Sequence, residues 1–234
     1  GEIFHSLKIV ERCNYRVLRN SVMDIDEEDT PDLMTEIEKQ LRLRQWGEVI
    51  HLAVRDDVSP KILKKLQKMM RVEKEDIYYI PGPIDLSFLG KLSRAPELSY
   101  KTHLHYTPYE PQTPAMLVGR KGDSIFDLIK QKDIFLSLPY ESFNPVLEFV
   151  KQSARDPKVL AIKQTLYRVS GHSPIIRYLE EAALNGKQVL VLLELKARFD
   201  EENNIQWAKR LERAGCHVIY GLVGLKTHSK ITMV

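Results

Sequence analysis

The chain has little of several features that mark special classes of protein. Its two cysteines, Cys13 and Cys216, lie far apart without metal-site spacing, so we expect two reduced thiols and no disulfide framework. No apolar run approaches the ~18 residues of a membrane span, and the first residues lack a signal-peptide pattern. A Gly-x-x-x-x-Gly-Lys loop is missing as well, which excludes a Walker-type kinase.

The overall charge also says little about partners. A net charge of +3 over 234 residues leaves any anion site to local clustering. Hydrophobic and charged fractions of 43% and 29% are those of an ordinary soluble globular protein. The chain begins at Gly1 without Met and stops at Val234 inside an alternating apolar stretch, so we expect it to be a piece of a longer protein.

The N-terminal part predicts an α+β module. Residues 7–18 and 48–55 are rich in β-branched and apolar residues, as strands are. Thr30-Pro31-Asp32 predicts a helix start, with the helix ending near Gly47, and Ser59-Pro60 repeats this signature. Residues 91–120 are proline-rich without a sustained period and predict a connector. We expect one domain over 1–115 and a second over 116–234.

The second domain follows an α/β pattern with right-handed crossovers. The apolar run 189–195 is typical of a parallel strand covered on both faces. Asp200 is expected to cap the helix that follows this strand. The predicted helices span 142–154, 173–186 and 200–215, and the predicted strands span 159–168, 189–195, 217–221 and 226–234.

Cationic side chains gather where we expect a ligand. In such a sheet, ligands bind beyond the carboxyl ends of the parallel strands. Three strands bring cations toward that edge, together with one histidine. The residues are Lys163, Tyr167 and Arg168 on the first strand, Glu194, Lys196 and Arg198 on the second, and Lys226, His228 and Lys230 on the last.

His228 is the candidate nucleophile of this cluster. On an extended strand it shares one face with Lys226 and Lys230. Two neighbouring ammonium groups disfavour a charged imidazole, which then stays free to attack phosphorus, while the lysines neutralise phosphate oxygens. The alternative is a basic strand edge that only faces water.

Arg168 and Arg198 suit phosphate because a guanidinium binds its oxygens in a fixed fork. Their alternative role is a salt bridge to Glu194, Asp200 or Glu201. Both roles are compatible, since a carboxylate can orient an arginine without occupying all its donors.

Four ordered blocks make the chain resemble the polyphosphate kinases that synthesise long polyphosphate from ATP. The similarity is close over 120–234. The N-terminal half, including 16–20 and 24–28, is similar to the family's head domain, but less distinctively. The blocks are Leu-Pro-Tyr-Glu-Ser-Phe at 138–143, Ala-Ile-Lys-Gln-Thr-Leu-Tyr-Arg at 161–168, Glu-Leu-Lys-Ala-Arg-Phe-Asp-Glu at 194–201, and Gly-Leu-Val-Gly-Leu-Lys-Thr-His-Ser-Lys at 221–230.

The resemblance implies a phospholipase-D-like fold for the C-terminal part. It implies that His228 takes the γ-phosphoryl of ATP as a phosphohistidine and passes it to polyphosphate. From its position on the same face, we expect Lys230 to stabilise this transfer. Arg168 and Arg198 fall at the family's phosphate and Mg²⁺ site, and we expect them to hold phosphate oxygens beside the ion, whose direct ligands stay open. Lys226 and Lys163 are further phosphate-binding candidates.

The resemblance also implies partners and setting. ATP, ADP and inorganic polyphosphate are the expected partners, with no nucleic acid and no membrane span. The full-length protein is expected to be a cytoplasmic homo-oligomer. The family's helical N-terminal domain and second histidine-bearing half are absent from these residues, so we expect this chain alone to be inactive.

Two other functions stay open from the residues. A phospholipase-D-like phosphodiesterase has His-x-Lys followed by an Asp about five residues later, and that position falls just past Val234. A polyanion-binding module without catalysis would need only the cationic strand ends.

Overall fold

The computed structural model describes residues 8–21, 32–118, 122–169, 171, 173–222 and 224–234. The chain divides into two compact units. The first holds Gln40–Thr107 and the described part of Gly1–Asp24, and the second holds Pro108–Val234 and the described part of Ile25–Lys39. Within these ranges no helix has the length and apolar character needed to cross a membrane.

The first unit is built on a small mixed sheet. Its strands lie in the order β1-β2-β3, with β2 antiparallel to β1 and parallel to β3. The division between the units falls within helix α1. The elements are β1 (Tyr15–Arg19), the end of α1 (Leu33–Leu43, of which residues 33–39 belong to the second unit), β2 (Val49–Arg55), α2 (Pro60–Met70), β3 (Ile77–Ile80), α3 (Phe88–Leu92) and α4 (Pro96–Ser99).

Helix α2 forms where the sequence predicts it. The Ser59 hydroxyl accepts the Ile62 N–H at 3.3 Å, and Pro60 occupies the first turn, where its missing N–H costs nothing. Arg71 ends the helix in the left-handed conformation. Leu66 packs into a buried cluster with residues of β2, so the helix start and the strand predicted at 48–55 are both confirmed.

The strand predicted at 7–18 is wrong over most of its length. Among the described residues of this stretch, β1 begins only at Tyr15. Tyr15 pairs with Val54, and β2 ends one residue later, at Arg55, before a turn. Within the described part of the chain, residues 8–14 therefore have no partner strand, and β-branched composition alone cannot supply ladder hydrogen bonds. The predicted cap at Thr30-Pro31 lies outside the described residues.

The second unit is an α/β layer with a mixed sheet. The strands lie in the order β6-β5-β4-β7, in which β4, β5 and β6 are parallel and β7 runs antiparallel to β4. The elements are α5 (Ile125–Gln131), α6 (Asn144–Arg155), β4 (Ala161–Leu166), α7 (Pro174–Leu184), β5 (Gln188–Leu193), α8 (Glu201–Arg213), β6 (His217–Tyr220) and β7 (Thr232–Met233).

Helices cover one face of this sheet. Helix α7 packs on β5 and lies beside α6, while α8 packs on β6. Along β5, Val189 and Val191 are buried, whereas Leu190 is half-buried. The face of Leu190 also carries the exposed His217, its partner on β6. The prediction that 189–195 is covered on both faces is therefore wrong for this chain.

The last predicted strand is much shorter than expected. Within 226–234 only Thr232–Met233 is a strand. The Thr165 N–H still reaches the Ile231 carbonyl at 2.9 Å, but the Ile231 N–H bonds to the Thr165 hydroxyl at 2.8 Å instead of to a backbone carbonyl. This side chain interrupts the ladder, so His228 precedes a strand and does not lie on one.

Candidate functional site

The site lies where the ends of several strands meet. Strands β4 and β5 end at Leu166 and Leu193 on the same edge of the sheet because they are parallel. Strand β7 is antiparallel to β4, so the residues that enter β7 lie beside the end of β4. We call residues 226–231 the His228 segment. The residues that follow β4 and β5 thus lie near the His228 segment, as the sequence predicts. The difference is that β7 is antiparallel to β4, so the segment precedes its strand.

A buried carboxylate fixes the first part of the His228 segment. Glu194 follows β5 directly and is only 3% exposed. Its Oε2 accepts the backbone N–H of Thr227 at 2.8 Å, and its Oε1 accepts that of Lys196 at 3.2 Å. A buried charge is stabilised when such donors satisfy its oxygens. Thr227, itself buried, is thereby held at the end of β5, and its neighbour His228 points to solvent.

A threonine fixes the second part of the segment. The Thr165 hydroxyl on β4 donates to the carbonyl of Ser229 at 2.7 Å and accepts the N–H of Ile231 at 2.8 Å. Glu194 and Thr165 thus hold the chain on both sides of His228.

Tyr167 contacts the imidazole and two cations. The Tyr167 and His228 ring centroids lie 5.0 Å apart, with the planes at 78°. The Lys230 ammonium lies 4.7 Å from the Tyr167 ring centroid and donates to the carbonyl of His228. The Arg168 guanidinium carbon lies 5.6 Å from the same centroid. One aromatic ring therefore packs against the candidate nucleophile and two candidate phosphate-binding groups.

A hydrogen bond from the Arg168 side chain to the Arg198 backbone links the two arginines. Arg168 Nε lies 3.0 Å from Asp200 Oδ2, and its Nη2 donates to the Arg198 carbonyl at 2.9 Å. The Arg198 guanidinium packs over the exposed ring of Phe199, 5.2 Å from its centroid. Both arginine side chains are exposed. The salt bridge considered for Arg168 is present, and it orients the guanidinium.

Asp200 does not act as predicted. It occupies the cap position of α8, but its side chain makes no capping hydrogen bond. Its carboxylate pairs with Arg168 instead. A charged partner of opposite sign competes successfully with a backbone N–H for the same oxygens.

The two other predicted lysines lie in different places. Lys226 donates to the carbonyl of Lys196 at 3.1 Å, so it belongs to this edge. Lys163 lies in the middle of β4, where it pairs with Met233, and it lines a pocket with Lys187 and His217 near the start of the parallel strands. The structure does not bring Lys163 to the His228 segment, and its phosphate-binding role stays a prediction.

Besides Thr165, sequence reasoning missed the supporting roles of Asn204 and Glu194. Asn204 of α8 is fully buried and donates to the carbonyls of Tyr167 and Glu194, at 2.7 and 2.9 Å, which ties the ends of β4 and β5 together. The sequence predicts Glu194 as a possible arginine partner, whereas the structure shows it as an acceptor of backbone N–H groups. The available signal was a single carboxylate between Leu193 and Leu195, because a charge in a buried run must find donors.

The acidic residues of this edge are already engaged. In the part of the chain that the structure describes, no group of three or more His, Cys, Asp or Glu side chains could hold a metal ion. Asp200 pairs with Arg168, and both Glu194 oxygens accept backbone N–H groups. The arrangement is therefore one imidazole among exposed cations, which suits a bound anion with several oxygens.

Family models match both units. The model "Polyphosphate kinase middle domain" matches residues 1–92, and the model "Polyphosphate kinase C-terminal domain 1" matches residues 124–234. The second match contains all the site residues described above.

Curated relatives and a solved structure carry the same name. A polyphosphate kinase of Halalkalibacterium halodurans is 52% identical over 234 residues, all of this chain and 33% of the relative. One from Lactiplantibacillus plantarum is 49% identical, again over all of this chain and 32% of the relative. The crystal structure of polyphosphate kinase from Porphyromonas gingivalis matches with a TM-score of 0.63 and 28% identity, over 78% of this chain and 27% of that one. The chain thus spans about a third of the length of these curated relatives.

Proposed function

Because the chain belongs to the polyphosphate kinase family, we propose that His228 is the residue that carries a phosphoryl group between ATP and polyphosphate. The observation that supports this role is the position of His228. Its exposed imidazole packs against the Tyr167 ring, which Lys230 and Arg168 also contact, while Glu194 and Thr165 fix the backbone on either side.

The transfer has two balanced steps. A neutral imidazole nitrogen of His228 attacks the γ-phosphorus of ATP, the bond from that phosphorus to the β,γ-bridging oxygen breaks, and ADP leaves. A terminal oxygen of polyphosphate then attacks the phosphohistidine, the P–N bond breaks, and the chain grows by one phosphate. Both steps need positioning and neutralised charge more than covalent chemistry from other side chains.

The cations of the site supply that neutralisation. Lys230 and Lys226 act as point charges for phosphate oxygens, and Arg168 and Arg198 offer forked donors. Asp200 holds the Arg168 guanidinium at Nε and the Arg198 carbonyl accepts from its Nη2, so these two contacts fix its orientation. Fixed donors of this kind stabilise developing charge without reorganisation during the reaction.

Mg²⁺ fits this site only through the nucleotide. The nearby carboxylates already have partners, so we propose that phosphate oxygens of ATP hold the ion and that Arg168 and Arg198 bind oxygens beside it. When bound, Mg²⁺ would neutralise charge on the bridging and terminal oxygens.

The phosphodiesterase and the simple polyanion-binding module find less support. The family models and the relatives described above carry the name polyphosphate kinase. The type of reaction, ATP:polyphosphate phosphotransfer, is proposed for the whole protein, since this chain spans about a third of its relatives. Inactivity of the chain alone, a cytoplasmic location and a homo-oligomeric whole protein stay predictions from the resemblance.

The experiment measures the rate of polyphosphate synthesis from ATP. The protein tested is the full-length protein that contains this chain. His228→Ala should abolish synthesis. His217→Ala is the matched control, because His217 is exposed at the start of β6, on the opposite edge of the sheet. Unchanged synthesis by His228→Ala would overturn the proposal.

A further inference from the structure

We propose that Tyr167 is a positioning residue of this site, whose ring holds the His228 imidazole and the Lys230 ammonium in the arrangement that receives a phosphoryl group. This inference rests on the proposed role of His228. It assigns a task to a side chain that neither touches the reacting phosphorus in the proposed steps nor carries a charge.

The contacts of the ring carry the proposal. His228 packs at 5.0 Å between centroids in an edge-to-face arrangement, and the Lys230 ammonium lies 4.7 Å from the Tyr167 centroid. Both distances fall in the ranges that favour aromatic pairs and cation–π contacts. Lys230 has a second contact in the same place, its hydrogen bond to the carbonyl of His228. The ammonium is therefore held between the ring and the backbone of the nucleophile.

Tyr167 is itself fixed, as a positioning residue must be. It directly follows β4, and its carbonyl accepts a hydrogen bond at 2.7 Å from Asn204, which is fully buried. Asn204 also binds the carbonyl of Glu194, the residue that anchors Thr227. The Asn204 amide therefore binds both the backbone of Tyr167 and the residue that anchors the His228 segment. These hydrogen bonds set the distance between Tyr167 and that segment.

Removal of the ring should free the two partners. Lys230 has a flexible four-carbon side chain that is strongly hydrated when exposed. Without the ring face its ammonium would sample many positions, and ordering it at each turnover would cost entropy. A cation–π contact, from an exposed to a desolvated one, corresponds to roughly a twofold to thirtyfold effect on an equilibrium or rate.

The test compares Tyr167→Leu with Tyr167→Phe. In the 234-residue chain, NMR measures the ring-proton shifts of His228, which the nearby ring current displaces. Phe should keep these shifts near the wild-type values, and Leu should move them toward those of a free imidazole. In the full-length protein, the rate of His228 phosphorylation from ATP should fall roughly tenfold for Leu and less than threefold for Phe.

The phosphorylation rates of the wild-type protein and the two variants distinguish the role of Tyr167 from that of His228. If wild-type protein phosphorylates His228 and Tyr167→Leu does so at the wild-type rate, the role of Tyr167 is refuted while that of His228 stands. If Phe loses as much as Leu, the hydroxyl matters and not the ring, and the proposal is again refuted. If wild-type His228 is never phosphorylated, the proposed function fails and this inference falls with it.

A second series covers the case in which Tyr167→Leu does not fold. Phenylalanine with one, two or three ring fluorines at position 167 keeps the ring shape but weakens its negative face. The phosphorylation rate should decrease with each fluorine added. A rate that is independent of fluorination would refute the proposal.

Discussion

The Glu194 carboxylate accepts the backbone N–H of Thr227 at 2.8 Å, across 33 residues of sequence. Thr227 directly precedes His228. Glu194, which follows β5, therefore sets the position of a histidine that lies just before β7. Glu194 is 3% exposed, and its other oxygen accepts the N–H of Lys196. Through these two hydrogen bonds, Glu194 attaches the His228 segment to the residues that follow β5.

The first prediction concerns this acceptor. Glu194→Gln replaces one acceptor oxygen with an NH₂ group, so one buried N–H faces a donor and loses its partner. We expect a decrease in the free energy of unfolding of about 1–3 kcal/mol. Hydrogen exchange of the Thr227 or the Lys196 amide, whichever faces the new NH₂ group, should also accelerate. Glu202→Gln is the matched control, since Glu202 is exposed in the first turn of α8 and should change stability by less than about 0.5 kcal/mol. Unaltered exchange at both Thr227 and Lys196 in Glu194→Gln would contradict the assignment.

The second prediction concerns the other anchor. Thr165→Val has nearly the same shape but cannot donate to Ser229 or accept from Ile231. We expect about 1–2 kcal/mol of destabilisation and faster amide exchange at Ile231. Thr165→Ser keeps the hydroxyl and should preserve the protection of that amide. Equal protection in the Val and Ser variants would show that the hydroxyl does not anchor the segment.

The third prediction concerns the arginines. Arg168→Ala and Arg198→Ala should each weaken polyphosphate binding by roughly tenfold, because each removes charge-assisted hydrogen bonds to phosphate oxygens. Titration at several salt concentrations should also show a shallower salt dependence, since fewer ions are released on binding. Arg213→Ala removes an exposed arginine from the end of α8 and serves as the control. Loss of the same size in Arg213→Ala would mean that binding depends on net charge and not on this site.

The fourth prediction concerns the alkaline limit of stability. Burial, with a smaller contribution from Glu180, raises the pKa of Cys216 to about 11. Below the pKa of an unfolded cysteine the thiol is protonated in both states, and its contribution to stability is complete. As the pH rises toward 11 only the unfolded chain releases the proton, so the folded state loses stability.

Urea denaturation measures this loss directly. Between pH 8 and pH 10, wild-type protein should lose about 1–2 kcal/mol more of its free energy of unfolding than Cys216→Ala does. Cys13→Ala is the control: it removes the half-exposed thiol and keeps the buried one, so its stability should still fall with pH as that of the wild-type protein does. Parallel pH curves for wild-type protein and Cys216→Ala would contradict the prediction.

The regular elements of the second unit could be predicted from the sequence because their signals are local. Ser173-Pro174 and Asn185-Gly186 bracket helix α7, and the apolar run beginning at Val189 marks β5. The short strand β3 was missed because its four residues, Ile77–Ile80, carry too little pattern to distinguish them from a loop.

The errors at the site have a common physical origin. The sequence places Lys226, His228 and Lys230 on one side of an extended segment, and all three are exposed as that pattern indicates. The end of the strand ladder, however, depends on a hydroxyl of Thr165, which lies 66 residues from Ile231. Contacts of this kind, including those of Tyr167 and Glu194, are set by tertiary packing and leave no periodic signal along the chain.

The most direct test of the account is to locate the phosphoryl group itself. The full-length protein is incubated with γ-labelled ATP and Mg²⁺, digested under mildly alkaline conditions that preserve phosphohistidine, and analysed by mass spectrometry. The account predicts a labelled phosphate on His228, lost in His228→Ala, kept in His217→Ala, and discharged when ADP or polyphosphate is added. A label that persists fully in His228→Ala, or that lies on another residue, would contradict it.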